Sequence, residues 1–146
     1  MTASISLVRQ KIAAQVATLS GFKEINIPPE FFGRTQNTIA HLGFAVQIDQ
    51  VASIPDRQRL SVGLYVGTNI IVKFAYRLRP MDSYPTDYDL SFDAVQDVTR
   101  KVLGSYQSLN IGITPVFNTA RHTIGDSLEY IIHELQFIVR HTISGA

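Results

Sequence analysis

The sequence contains no cysteine. That excludes disulfide staples, thiolate nucleophiles and cysteine-ligated metals, and it fits an intracellular site of synthesis. Long apolar runs are missing too: no stretch approaches the roughly 20 residues that a membrane-spanning helix requires. Charge is sparse, at 17% of residues against a usual ~25%. It is also balanced, with a formal net charge of +1, so nothing global draws the chain to nucleic acid or a membrane surface. The opening Met-Thr-Ala-Ser-Ile-Ser-Leu-Val-Arg lacks a basic segment followed by an apolar one, which predicts no signal peptide.

Motifs of catalysis and cofactor binding are absent as well. There is no Gly-x-Ser-x-Gly elbow, no Gly-x-x-x-x-Gly-Lys-Ser/Thr and no Gly-x-Gly-x-x-Gly. Asp82, Asp87, Asp89 and Asp93 cluster in sequence without the alternating spacing of a calcium loop, so they are read as turn and helix-start residues. His133 and His141 fall on one strand face but eight residues apart. At about 3.3 Å per residue that is ~26 Å, too far to share a metal. His122 and His133 can meet only across a final hairpin. The sequence therefore predicts no catalytic, cofactor or metal site.

A chain of 146 residues fits one domain, 1–146, and a domain of that size buries about 68–70% of the surface its unfolded chain exposes. Hydrophobic residues make up 45%, enough for a real core. A small domain so lean in charge often hides surface in an oligomer.

Alternation is strongest over residues 59–79. Leu60, Val62, Leu64 and Val66 occupy every second position, and Ile70, Val72, Phe74, Tyr76 and Leu78 do so again. Gly67-Thr68-Asn69 between them supplies residues that tolerate positive φ. The stretch reads as an antiparallel hairpin with one buried face. Its second limb points Lys73, Arg77 and Arg79 outward, either as a solvated face or as a basic rim for an acidic partner or passing DNA.

The remaining elements cover that hairpin. Residues 4–20 place Ile5, Val8, Ile12, Val16 and Leu19 on one helical stripe, with Ser4 as N-cap and Gly21 just past the end. Ile27-Pro28-Pro29-Glu30-Phe31-Phe32 is a stiff loop whose Ile27, Phe31 and Phe32 either plug the core or meet a partner. Residues 42–51 alternate as a strand, followed by a turn at 54–57. Residues 81–88 read as a loop. A second helix, capped by Asp89 or Ser91, runs to about Leu103 with Phe92, Val95, Val98 and Val102 on its apolar side. Residues 109–124 read as a strand entered by Pro115, Gly125-Asp126 as a tight turn, and 128–143 as a strand that also carries a helical pattern. The sum is an α+β domain: an antiparallel sheet of about four to five strands with two helices packed on one face.

That pattern resembles the tail terminator (tail-completion) proteins of long-tailed bacteriophages. The likeness lies in four features: the leading helix ending at Gly21, the strand closing on Val-Lys-Phe-Ala-Tyr-Arg-Leu-Arg (72–79), the helix over 90–103, and the final Leu-Gln-Phe-Ile-Val-Arg-His-Thr (135–142). The resemblance implies a non-enzymatic virion protein, assembled in the host cytoplasm and located at the tail or neck. It would form a ring, usually of six copies, on the tail tube, ending tube polymerisation and meeting the head–tail connector while DNA passes through the lumen. In that setting Lys73, Arg77 and Arg79 would line the lumen or a subunit contact, and Ile27, Phe31 and Phe32 would meet a partner. The proline-bearing loop 23–39 departs from the pattern and leaves open a neighbouring neck or head–tail joining protein. Two other classes stay open: a small cytosolic ligand-binding domain, and an enzyme using the acidic groups of 82–93.

Overall fold

A computed structural model describes residues 4–25, 41–54, 64–79, 81–104, 115–124 and 129–143. The loop residues Ile27, Phe31 and Phe32 and the turn at 125–126 lie outside the described residues. The elements are α1 (Ile5–Ala17), β1 (Lys23–Glu24), β2 (Gly43–Ser53), β3 (Leu64–Arg77), α2 (Tyr84–Leu103), β4 (Val116–Ile124) and β5 (Tyr130–Ile143). They build one five-stranded sheet in the order β1-β2-β3-β5-β4. Only the β1–β2 pairing is parallel.

The stretch 64–79 is not a hairpin. β3 runs unbroken through Gly67-Thr68-Asn69, which pair with Ala52, Val51 and Gln50 of β2 on one side and with Arg140, Val139 and Ile138 of β5 on the other. The reason is visible in the phase of the alternation. Val66, Thr68, Ile70, Val72 and Phe74 all point to one face and all are buried, so the period never resets as a turn would require. Thr68 is the polar member of this row, and its hydroxyl shares a 2.7 Å hydrogen bond with Nε2 of buried His141 on β5. The other face of β3 is not simply solvated either, because Ile71 and Ala75 are buried there. Central strands carry apolar residues on both faces for this reason.

Both helices lie on the face that presents Phe44, Val72, Phe74, Leu135 and Phe137, and the core forms between them and the sheet. In α1 the side chain of Ser4 accepts from Leu7 N at 3.1 Å, so the expected N-cap is made. Val8, Ile12 and Val16, one turn apart, are fully buried. Gly21 turns the chain with φ +85, and a Cβ there would meet Leu42 Cδ1 at 3.0 Å. Phe22 then packs edge-on against Phe74, with ring centroids 5.4 Å apart.

Helix α2 begins earlier than residues 89–91. A 3₁₀ turn over Met81–Ser83 leads into Tyr84, with proline in the first helical turn. Proline is pre-set for that place and has no N–H to leave unsatisfied, so Pro85 starts the helix rather than holding a loop open. β4 and β5 are strands as expected. The helical pattern in β5 loses because Ile131, His133, Leu135, Phe137, Val139 and His141 form one buried row opposite β3.

The unbroken strand predicts the cost of touching Thr68. Thr68→Val keeps the shape but removes the hydroxyl bonded to His141, and should lower unfolding free energy in urea by about 1–3 kcal/mol. At an exposed loop apex the same change would shift it by less than about 0.5 kcal/mol. A near-zero effect, or fast amide exchange at 67–69, would reinstate the turn.

Candidate functional site

Helix α2 buries Asp87, Ser91, Ala94, Val98 and Val102. The stripe is apolar toward its C-terminal end and polar toward its start, where Asp87 and Ser91 sit one turn apart. A buried carboxylate and a buried hydroxyl each need partners. Each gathers its own cluster of side chains.

Asp87 ties the end of the central strand to the helix. Its Oδ2 accepts from the backbone N of Arg79 at 2.8 Å and from Arg79 Nε at 3.0 Å, while Oδ1 accepts from Nη2 at 2.9 Å. Side-chain and backbone hydrogen bonds from Arg79 hold the Asp87 carboxyl down to about 2. Beside this fork lies an open cleft of about 290 Å³, lined by His41, Tyr76, Arg77, Arg79, Asp87 and Leu90. His41 meets Tyr76 edge-on with ring centroids 4.6 Å apart, and its Nδ1 accepts from the backbone N of Arg77 at 3.1 Å. Burial, and then the charge of Arg77, push the His41 pKa down. Burial, followed by the negative charge of Asp87, pushes the Tyr76 phenol up, so it stays protonated.

Ser91 anchors a chain of hydrogen bonds that runs out to the sheet edge. Its Oγ donates to Tyr88 O at 2.6 Å, so it can only accept from His133 Nε2, 2.9 Å away. Burial, with a smaller contribution from His122, pushes fully buried His133 down to about 3. The ring is therefore neutral and its Nδ1 is bare. That nitrogen lies 2.6 Å from Nδ1 of His122, which must supply the proton; burial pushes the His122 pKa down, which favours a neutral ring with Nε2 bare. Every tautomer is set by counting donors. Because Ser91 is buried and its proton is committed to a main-chain carbonyl, this array is not a nucleophile–base pair. Phe92 completes the cluster, with ring centroids 4.6 Å from His122 and 4.9 Å from His133.

The cations singled out in the sequence do not act as one stripe. Lys73 is part-buried and pairs with Glu134 across the β3–β5 ladder at 3.3 Å. Arg79 lies past the strand end and is held by Asp87. Arg77 is exposed and has no ion-pair partner among the described residues. The His122–His133 contact forms across the β4–β5 ladder, where the two residues are direct register partners. Their separation of 11 residues is compatible with a hairpin, but no sequence signal fixes the register. Asp87 was assigned to a loop, and only the proline-led helix start places it against Arg79. Among the described residues no group of three or more His, Asp or Glu is placed to hold a metal ion.

The His133 environment sets a pH window. The unfolded ring takes a proton near its ordinary 6.5, the folded one only near 3, so stability is complete above pH 6.5 and falls as the pH drops toward 3. The steepest loss is about 1.4 kcal/mol per pH unit. Asp87 adds a separate loss between its ordinary 3.8 and about 2. Urea unfolding followed by circular dichroism at pH 7.5, 6, 5 and 4 should show a steady decline. His133→Gln should be less stable at pH 7.5 yet flatter across the window, and an unchanged slope in that variant would discount the buried imidazole.

Compared with protein-family models and with curated proteins, the sequence finds no match.

Proposed function

We propose that the protein is a structural subunit of a bacteriophage tail. In this reading six copies close into a ring on the tail tube, stop its growth and receive the head–tail connector. DNA passes through the lumen without sequence-specific contact, and the subunit resides in the virion at the tail or neck. The observation that carries the reading beyond the sequence pattern is the inequality of the two sheet edges. β1 is two residues long, whereas β4 is nine. β4 exposes Val116, Phe117 and Ile124 at 51%, 41% and 39%. A nine-residue edge strand with exposed apolar residues at both ends is a template for another chain. Among the described residues β1 is too short to pair along β4, so in this reading β4 meets a different surface of the next copy, and a contact between unlike surfaces is the kind that generates rings. Of the three cations assigned to the lumen or a subunit contact, Arg77 is the one left to serve it. Ile27, Phe31 and Phe32 remain the proposed contact with the tube or the connector.

A second reading, a small ligand-binding α+β domain, is favoured by the cleft around Tyr76 and Arg77. The two part company on assembly. Size-exclusion chromatography with light scattering, followed by negative-stain microscopy, should give six-fold rings. Val116→Asp combined with Phe117→Asp should give folded monomers. A wild-type monomer, or a two-fold dimer closed by β4 against β4, would overturn the ring.

A further inference from the structure

The cleft between the end of β3 and the start of α2 is built from cations and donors that the fold itself does not consume. Asp87 takes the backbone N–H of Arg79, its Nε–H and one Nη2 hydrogen. The guanidinium has five N–H groups, so its Nη1 edge stays available on a side chain that is 62% exposed. Arg77 lines the same cleft with no ion-pair partner among the described residues. His41 receives the Arg77 backbone N–H on Nδ1, so a neutral ring carries its proton on Nε2 and offers it as a donor. Among the described lining residues, two guanidinium groups against one carboxylate leave one positive charge in excess.

The backbone around His41 is strained. The next residue, Leu42, is a non-glycine residue with φ 61, a left-handed conformation that persists only where its surroundings enforce it. Here Leu42 N donates to Ala75 O at 2.7 Å and Leu42 O accepts from Lys23 N at 3.2 Å. Those two bonds pin the turn that holds His41 against the strand end. Among the described residues the rest of the lining is the ring of Tyr76, and Leu90, which is 43% exposed.

We infer that this cleft binds the carboxylate of a small ligand with an apolar or aromatic body, Arg77 and the free edge of Arg79 taking the oxygens and Leu90 with Tyr76 taking the body. A single excess charge matches a monoanion. A phosphate dianion would bring a second charge with no further cation among the described lining residues to meet it, against a wall that includes Leu90 and the Tyr76 ring. The inference rests on the ligand-binding reading, which it deepens by naming the ligand class: an Arg77 that takes a ligand's carboxylate is not also the cation of a subunit contact.

Saturation-transfer NMR observes the ligand at any assembly size, so the outcome is separable from that of the ring experiment. With sodium benzoate, sodium acetate and sodium phosphate at pH 7.5 and constant ionic strength, benzoate should bind saturably and about fivefold more tightly than acetate. Equimolar phosphate should not displace it. Arg77→Gln should weaken benzoate by about fivefold, and Leu90→Ser should remove the preference for benzoate over acetate. Arg121→Gln, on β4 at the sheet edge, should change neither. Binding that fails to saturate, that survives Arg77→Gln, or that phosphate displaces as well as benzoate does would overturn the assignment.

Discussion

β3 is hydrogen-bonded along both edges, to β2 on one side and β5 on the other, and it is the middle strand of the five. A strand flanked on both sides has no freedom to slip, since a shift by one residue would exchange Val66, Thr68, Ile70, Val72 and Phe74 for the opposite row. Both helices then have a single patterned surface to cover. Thr68 shows how strict the constraint is. A hydroxyl caught in the buried row must be satisfied where it falls, and His141 on the neighbouring strand stands within reach to do so.

The same register decides where polar chemistry can exist. Toward its C-terminal end α2 meets the core through Val98 and Val102, both aliphatic. Toward its start Asp87 and Ser91 are buried instead, and each is satisfied by a group from the sheet: Arg79 from beyond β3 and His133 from β5. The Asp87 fork is also the clasp between strand end and helix, so a charged pair closes the turn that carries the chain from one layer to the other. Its guanidinium faces water while its carboxylate is only 3% exposed. That asymmetry spares the pair much of the desolvation that makes fully buried ion pairs costly.

Much of this fold was legible in the chain. Helix α1, its Ser4 cap and the left-handed Gly21 follow from spacing and from residues whose roles are local. The α+β class and the two helices on one face follow from element order. What failed was the reading of Gly67-Thr68-Asn69 as a turn, because local propensity was weighed above an alternation that never changed phase. The start of α2 lies inside the stretch 81–88 that reads as a loop, because Pro85 occupies the first helical turn, where its missing N–H leaves nothing unsatisfied. The clusters around Asp87 and Ser91 were illegible on physical grounds. They join residues from elements distant in sequence, and the geometry that selects His122 as partner of His133 is a register, which no single segment encodes. The basic stripe was legible as residues but not as a function: Lys73 and Arg79 have carboxylates beside them that only the fold supplies.

The aromatic rings of α2 have an optical consequence. Tyr84, Tyr88 and Phe92 stack at successive turns, with centroids 6.3 Å and then 5.0 Å apart, and Phe92 abuts the two imidazoles. The chain has no tryptophan and six tyrosines, so two of its six phenol chromophores belong to this ladder. Near-ultraviolet ellipticity and tyrosine emission thus carry a built-in reporter of the helix start that needs no label.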